Sequence, residues 1–475
     1  MSLVVDERCD IVGAKVYRSY SCILNQTNIA LNANKFYIMQ IITNGVDYWI
    51  WCRYGRIGER GVPNKTLYHE DYIAVKTFCS AFYKKTGNRW GTPFQKKPGK
   101  YIMADVEEPI LVQEESIPDS RVLETKVDLL IRMISDRQLM TRTLQKLNVD
   151  TKRLPLGKIT KEQLAKADEI LFLIGTYIAP DFVSNIKLFD YPAPERFRKE
   201  RLLELSSDFW TLVPYVSGKT RPPIINDQTV LSKCADQLFN IKSIDVSTKI
   251  IEKNNTPAKI YETLEVDIIP IGDDTEEWKM LSEYVTRSQG STHKKISLLE
   301  AFLIDKEEKT PAADKQKIFD KTPNHLLLFH GSRSANFVGI FSEGLRIPTS
   351  TQITNGAVLG AGIYFADCVT KSFNYCHDDI GLVLVCEVAL GKSEIMTKAN
   401  NGPLPLECQS RMACGRFKPR EEENGQWFKN QGVIVPCGTL EQAKYEEEPG
   451  FYYNEYVIYR KEQYRFRYLL KLKNA

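Results

Sequence analysis

One stretch, His325–Tyr375, constrains this chain more than any other. An apolar run, Leu326–Phe329, stops at His330-Gly331-Ser332. A second short run, Ile363-Tyr364-Phe365, follows the glycines Gly356, Gly360 and Gly362. Buried strands that end in glycine-containing turns place backbone polar groups and one or two side chains at the edge of a cleft. Far downstream, Asn454-Glu455-Tyr456 opens a third run, Val457-Ile458-Tyr459. The expectation is that His330, Tyr364 and Glu455 meet in one pocket. The glycines precede a strand, the wrong order for a dinucleotide-binding turn, and no GxxxxGK[ST] phosphate loop is present.

With 475 residues the chain should hold two to four domains. Its 43% hydrophobic and 26% charged residues are ordinary for globular domains. The longest strongly apolar stretch, Ile170–Ala179, is too short to span a bilayer, so no membrane association is expected. The acidic start, MSLVVDERCDIV, lacks the apolar core of a signal peptide. The 11 cysteines are scattered without a CxxC pair. Neither Cys368/Cys376 nor Cys408/Cys414 has histidines nearby in a zinc pattern, so reduced intracellular thiols and no bound metal are expected. Charge is uneven: residues 1–105 hold 15 Lys and Arg against 8 Asp and Glu, a surplus of 7, while the whole chain carries only +4. A basic segment on a nearly neutral remainder points to a polyanionic partner, or to a solvated surface with a chance asymmetry.

Residues 10–60 read as β-strands, at Ser21–Leu24, Lys35–Gln40 and Tyr48–Arg53, separated by Asn-rich turns. Glu70–Lys85 has helical spacing, with Ile73, Val75, Phe78 and Phe82 on one side. Basic and aromatic residues interleave here: Arg53, Tyr54, Arg56, Lys84, Lys85, Trp90, Lys100 and Tyr101. Cationic side chains suit phosphates, and rings can stack on unpaired end nucleotides. Residues 106–120 are acidic, carry two prolines and read as a linker. Residues 121–250 are helical in pattern, with one helix spanning Val122–Leu147 and a capping box at Thr160–Gln163. Further helical patterns cover Ala193–Leu205 and Asp227–Lys253. From residue 256 onward strands return, at Leu382–Leu390, Gly432–Pro436, Tyr456–Tyr459 and Tyr468–Leu472.

The motifs LNQTNIALNANKFYIMQ (24–40), WCRYGRIGERG (51–61), KKTGNRW (84–90) and PGKY (98–101) resemble the WGR domain of DNA-dependent poly(ADP-ribose) polymerases. The motif's tryptophan is Tyr54 here, followed by Gly55 and Arg56. The resemblance implies that this aromatic packs near the terminal nucleotide, that Arg56 meets the 5′ phosphate, and that Gln26 and Tyr101 help to hold it. Leu154-Pro-Leu-Gly-Lys158, Asp208–Pro214 and Pro222-Pro223 are similar to the family's helical regulatory domain, which blocks the substrate site until DNA binding loosens it. HGSRSANFVGIFSEGLRI, GIYFADCVTKSFNYC, GLVLVCEVALG and YYNEYVIY resemble the catalytic domain of the same enzymes. The implied fold class is multidomain α+β: a small β-rich WGR domain (1–105), a linker (106–120), an all-α regulatory bundle (121–250), and a mixed α/β ADP-ribosyltransferase domain with a split, antiparallel-rich sheet (251–475).

The resemblance also implies roles. NAD+ is the substrate. Gly331 and Ser332 would hold the nicotinamide carboxamide, with a side chain at Gly331 obstructing that approach. Tyr364 and Tyr375 would sandwich the ring. His330 would bond the adenosine ribose, and Gly339, Arg346 and Ser372 would make further contacts. Glu455 would stabilise the oxocarbenium-like charge that develops when the nicotinamide–ribose bond breaks, as carboxylates do in glycosidases. Taken singly, a histidine after a strand or a glutamate among aromatics is more often structural; the ordered set of motifs reverses that reading. The function implied is a nuclear, DNA-break-activated transferase that makes poly(ADP-ribose) on itself and on chromatin or repair proteins, with 5′-phosphorylated DNA strand breaks and acceptor proteins as partners. Two alternatives stay open: a mono-ADP-ribosyltransferase, motivated by Ala357, Val358 and Ala361 beside the site, and a DNA-end scaffold with weak turnover.

Overall fold

A computed structural model describes residues 4–104, 122–154, 159–179, 194–292, 295–306, 318–347, 359–399, 402–445 and 448–474. The acidic stretch 106–120, residues 155–158 of the Leu154-Pro-Leu-Gly-Lys158 motif, Ala357 and Val358 lie outside the described residues. The chain divides into two compact units: residues 1–115 with 138–245, and residues 116–137 with 246–475.

The first unit opens on strands β1 (Lys15–Asn28), β2 (Ala33–Thr43), β3 (Tyr48–Arg56) and β4 (Val62–Tyr68), helix α1 (Asp71–Thr86) and strand β5 (Ile102–Met103). They form an antiparallel sheet in the order β4-β3-β2-β1-β5. Each predicted strand is found, β1 and β2 extended at both ends and β3 at its C-terminal end. α1 lies on the sheet through Ala74, Phe78 and Phe82, which pack with Leu24, Met39, Ile41 and Cys52. The i, i+4 spacing of these three residues sets the buried face, and Ile73, expected there, is turned to solvent. Gly87 ends the helix at φ 71°, its N–H bonded to the Tyr83 carbonyl at 2.7 Å. Trp90 then places its ring edge-on to Phe78 and Phe82, with centroids 4.9 Å away in each case.

The predicted single helix Val122–Leu147 is two helices, α2 (Thr125–Ile134) and α3 (Arg137–Lys146). The apolar period continues, but Ser135 interrupts it: its N–H and its hydroxyl both bond the Ile131 carbonyl, at 3.0 and 2.6 Å. A short polar side chain competing for backbone acceptors is a known cause of such breaks. α4 (Lys161–Ile178) starts as predicted, with the Thr160 hydroxyl accepting from the Gln163 N–H at 3.1 Å. The Gln163 side chain also ties the helix start to the end of the next helix, its Nε2 donating to the Leu212 carbonyl at 2.9 Å. α5 (Pro194–Leu212) runs a full two turns past its predicted end at Leu205, burying Phe209 and Trp210. α6 (Gln228–Lys253) is buried on most of its circumference, the pattern of a central helix; its residues through Asp245 belong to the first unit. Hydroxyls on α5 reach β1: the Thr27 N–H donates to Thr211 Oγ1 at 2.9 Å and the Ile29 N–H to Ser207 Oγ at 3.2 Å.

The second unit holds α2, the end of α6, α7 (Pro257–Leu264), β6 (Asp267–Pro270), α8 (Glu276–Arg287), β7 (Ile296–Asp305), β8 (His325–Ser332), α9 (Phe337–Glu343), β9 (Ile363–Phe365), α10 (Val369–Phe373) and β10 (Ile380–Ala389). It continues with β11 (Ser393–Met396), β12 (Ser410–Ala413), β13 (Gly415–Pro419), β14 (Gly425–Trp427), β15 (Asn430–Val435), β16 (Leu440–Gln442), β17 (Phe451–Tyr453), β18 (Glu455–Ile458) and β19 (Tyr464–Asn474). The large sheet has the order β14-β15-β8-β10-β19-β7-β6, and a second sheet the order β11-β12-β18-β9. Pairing is antiparallel throughout, save for β15 with β8 and β11 with β12. A third, small sheet runs β16-β13-β17. This is the split, antiparallel-rich arrangement expected. β10, buried at every position but Ile380 at its start, is the spine of the large sheet. The two main sheets touch at one bridge, where Phe329 and Ala366 exchange N–H···O bonds of 2.8 and 3.0 Å. That bridge brings the end of β8 against β9. Among the described residues the 11 cysteines are free thiols, no helix is long and apolar enough to cross a membrane, and no group of three His, Cys, Asp or Glu side chains is placed to hold a metal ion.

Candidate active site and nucleic-acid surface

The predicted meeting of His330, Tyr364 and Glu455 is carried by strand register. β8 does not stop at His330; it pairs with β10 through Ser332, with His330 opposite Leu384 and Gly331 opposite Val383. Beside the Phe329–Ala366 bridge, the His330 ring turns toward β9 and its Nδ1 sits 2.8 Å from the Tyr364 carbonyl oxygen. A carbonyl only accepts, so Nδ1 carries the proton and Nε2 is left as an acceptor. Burial pushes the His330 pKa down against that bond, which keeps the ring neutral.

β18 pairs with β9 so that Val457 faces Tyr364. Side chains alternate along a strand, so Glu455, two residues before Val457, shares the face of Tyr364. Burial raises the Tyr364 phenol far above its ordinary pKa, with smaller upward contributions from the nearby Tyr459, Glu455 and Tyr375. Tyr364 is thus a neutral hydroxyl, accepting from the Leu359 N–H at 3.2 Å and donating to the Gly360 carbonyl at 2.7 Å. Tyr375 follows α10 and is 48% exposed.

Glu455 has a partner that sequence reading did not identify. Lys371 on α10 forms an ion pair with its carboxylate, both side chains being mostly shielded from water. Both chain neighbours of Glu455 are held by another unanticipated group. Asp367 Oδ2 accepts from Asn454 Nδ2 at 2.7 Å and from the Tyr456 hydroxyl at 3.0 Å. The carboxylate end of β18 is therefore fixed from two sides. No short-range signal could reveal these links, since Lys371 and Asp367 lie more than 80 residues before their partners.

The remaining predicted residues occupy the same region with different partners. A Cβ on Gly331 would lie 1.7 Å from the Ser372 carbonyl oxygen, so the packing of α10 against β8 already demands glycine there. Ser332 is buried and its hydroxyl accepts from Asn336 Nδ2 at 3.1 Å. Ser372 is likewise buried. Arg346 pairs with Glu343. Gly339, expected to make a further substrate contact, donates its N–H to Ser247 Oγ on α6 at 3.1 Å. Ala361 lies in the turn between Gly360 and β9.

In the first unit, Gln26, Lys35 and Arg56 form a row across β1, β2 and β3. Two residues along, Tyr37 faces Tyr54, their rings stacked with centroids 5.6 Å apart and planes 11° apart. Tyr101 closes the group, 6.2 Å from Tyr37, and Lys85 Nζ lies 4.3 Å above the Tyr37 ring. Gln26 Nε2 donates to the Gly99 carbonyl at 2.9 Å. All four predicted nucleic-acid residues thus lie together on one face with two lysines. Arg56 has protein partners that the sequence did not show: the carbonyls of Gly218 and Thr220, and Asn32 at 3.0 and 3.1 Å.

Comparison with known proteins matches these regions in chain order. Residues 20–97 match the WGR domain, residues 122–265 the poly(ADP-ribose) polymerase regulatory domain, and residues 275–474 the poly(ADP-ribose) polymerase catalytic domain. The chain is 30% identical to "Poly [ADP-ribose] polymerase 2" of Homo sapiens, covering 95% of this chain and 79% of the relative. It is 29% identical to "Poly [ADP-ribose] polymerase 2" of Arabidopsis thaliana, over 96% and 73%. It is 32% identical to "Poly [ADP-ribose] polymerase 1" of Xenopus laevis, over 99% of this chain but 47% of the relative. The chain thus spans about half the length of the relatives of the latter kind. Three domains in the same order, and a relative aligned over most of both lengths, establish that the chain belongs to the poly(ADP-ribose) polymerase family.

Proposed function

We propose that this chain is an NAD+-dependent protein ADP-ribosyltransferase, activated by DNA strand breaks with a 5′ phosphate, that builds poly(ADP-ribose) on itself and on nuclear acceptor proteins. The observation that carries the reading is the register of β9 and β18, which sets Glu455 beside Tyr364 while the Tyr364 carbonyl fixes the His330 tautomer. The donor set fits the substrate. His330 Nε2 can accept from a ribose hydroxyl, the exposed Tyr375 ring suits stacking on a planar pyridine, and Arg346 supplies positive charge for a diphosphate. NAD+ brings a nicotinamide already primed to leave. Glu455 answers the positive charge that grows on the ribose as the C–N bond lengthens, and its second oxygen can orient an acceptor hydroxyl. Lys371 holds that carboxylate in place before substrate arrives. The acceptor's proton passes to the Glu455 carboxylate or to water as its oxygen bonds the ribose carbon, and nicotinamide departs with the bonding pair.

DNA would be read by the Gln26–Lys35–Arg56 row and the Tyr37, Tyr54, Tyr101 cluster, a union of phosphate-binding groups and stacking surfaces. Regulation would use α6. With the Gly339 N–H committed to Ser247, a substrate group needing that donor must displace the helix, and binding elsewhere that loosens α6 would release it. The test is incorporation of labelled NAD+ with and without nicked, 5′-phosphorylated DNA, with products sized on a gel. A DNA-dependent ladder supports the reading; a single labelled species points to mono-ADP-ribosylation; no incorporation under either condition overturns it.

A further inference from the structure

Arg411 is among the largest fully buried side chains of the protein, on β12, and none of the roles above uses it. Its guanidinium joins three separate segments. Nε donates to Glu394 Oε2 on β11 at 2.7 Å. Nη2 donates to the carbonyls of Gly402 and Pro403, each at 2.9 Å. Nη1 donates to the Leu359 carbonyl, also at 2.9 Å. A buried cation is tolerated only when its donors are met, and only a planar five-donor fork can meet acceptors in these directions at once.

The Leu359 link leads to the site. The same carbonyl accepts from the Tyr459 hydroxyl at 2.6 Å, and the Leu359 side chain is buried with Ala413 and Val457. The Leu359 N–H and the Gly360 carbonyl then bind the Tyr364 hydroxyl from both sides. One peptide segment is thus clamped from behind by Arg411 and Tyr459, and clamps Tyr364 in front. We propose that Arg411 is a positioning residue for the nicotinamide side of the pocket: through Leu359–Gly360 it fixes Tyr364, and so sets affinity for the substrate more than the rate of bond breaking. This rests on the transferase reading above. The sequence gives Arg411 no distinction, since it stands in a mixed stretch with no apolar period around it.

The experiment uses the full chain with saturating nicked DNA and compares wild type, Arg411→Met, Arg411→Lys and Tyr364→Phe, alone and with Arg411→Met. Three quantities are read: the Kd of nicotinamide by calorimetry, kcat and KM for NAD+, and Tm. Arg411→Met should weaken nicotinamide and raise KM about tenfold, with kcat within about threefold of wild type. Arg411→Lys should recover much of the Tm but not the KM, because a point charge cannot span the carbonyls. In the Tyr364→Phe background, Arg411→Met should add clearly less than its tenfold effect, since the route runs through that hydroxyl. An active wild type whose Arg411 variants lose Tm but keep KM and Kd within twofold overturns the inference and leaves the transferase reading standing. A wild type that neither binds nicotinamide nor turns over NAD+ overturns both. Full additivity with Tyr364→Phe overturns the proposed route.

Discussion

Asp367 offers a way to separate geometry from charge at the carboxylate end of β18. It is 1% exposed, and its Oδ2 bonds both residues that flank Glu455, while Oδ1 has no hydrogen-bond partner among the described residues. Burial raises its pKa, against the lowering effect of the Asn454 and Tyr456 bonds and, more weakly, of Lys371. Asp367→Ala removes the acceptor for two buried donors, each costing about 1–3 kcal/mol, so a loss of about 3–5 kcal/mol is expected once the cavity is included. It also frees Glu455, and a shift of ~1 Å at a reacting group can cost about 10²-fold in rate. Asp367→Asn keeps an acceptor oxygen and should hold turnover within a few-fold. The sign of its pH dependence follows from linkage. An acid whose folded pKa is raised lends stability that is full below the unfolded value, about 3.9, and is lost as pH rises through the folded value, at up to about 1.4 kcal/mol per pH unit. Asparagine has no such loss, so its stability relative to wild type should improve steadily from pH 4.5 upward. Thermal unfolding across pH 4.5–8, paired with NAD+ turnover, measures both effects. An Asp367→Ala variant as active as wild type, or an Asp367→Asn variant whose stability relative to wild type falls or stays flat as pH rises, would contradict this.

Three further outcomes are expected. Arg56→Ala should weaken DNA binding and lower the salt slope by roughly one, with nicotinamide affinity unchanged; fluorescence anisotropy over a salt series decides it. Ser247→Ala, by removing one buried bond worth about 1 kcal/mol, should raise DNA-independent turnover roughly fivefold, and unchanged basal turnover contradicts the role given to α6. His325 has its pKa raised, chiefly by its bond to Glu387, so its contribution to stability is full below about pH 6.5 and fades as pH rises through the folded value. Denaturant melts of His325→Gln should therefore show a larger deficit against wild type at pH 6 than at pH 8.5.

The parts of this fold that were legible in sequence are those written in local periodicity. Apolar runs gave β8, β9 and β18, and the resemblance carried by the four site motifs singled out His330 at the end of one run, Tyr364 within the second and Glu455 at the opening of the third. The helix over residues 122–147 was misread because Ser135 acts through a side-chain bond that hydrophobic spacing does not register. Ile73 was placed on the wrong face of α1 because two apolar stripes overlap there, and contact with the sheet selects the one through Ala74, Phe78 and Phe82. Lys371, Asp367, Ser247 and Arg411 were missed for a common reason. Each acts on a group distant in sequence, through one or two directional bonds, and looks like an ordinary polar residue where it stands. Gly331 was found but for an incomplete reason: packing against Ser372 dictates it before any ligand does.

The most direct test of the account is the rate of nicotinamide release from NAD+ by wild type and Glu455→Gln, each with and without nicked, 5′-phosphorylated DNA. DNA should accelerate wild type by at least an order of magnitude, and Glu455→Gln, folded and still binding nicotinamide, should release it about 10²–10³-fold more slowly with DNA present. Equal release by the two proteins, or release by wild type that ignores DNA, would contradict it.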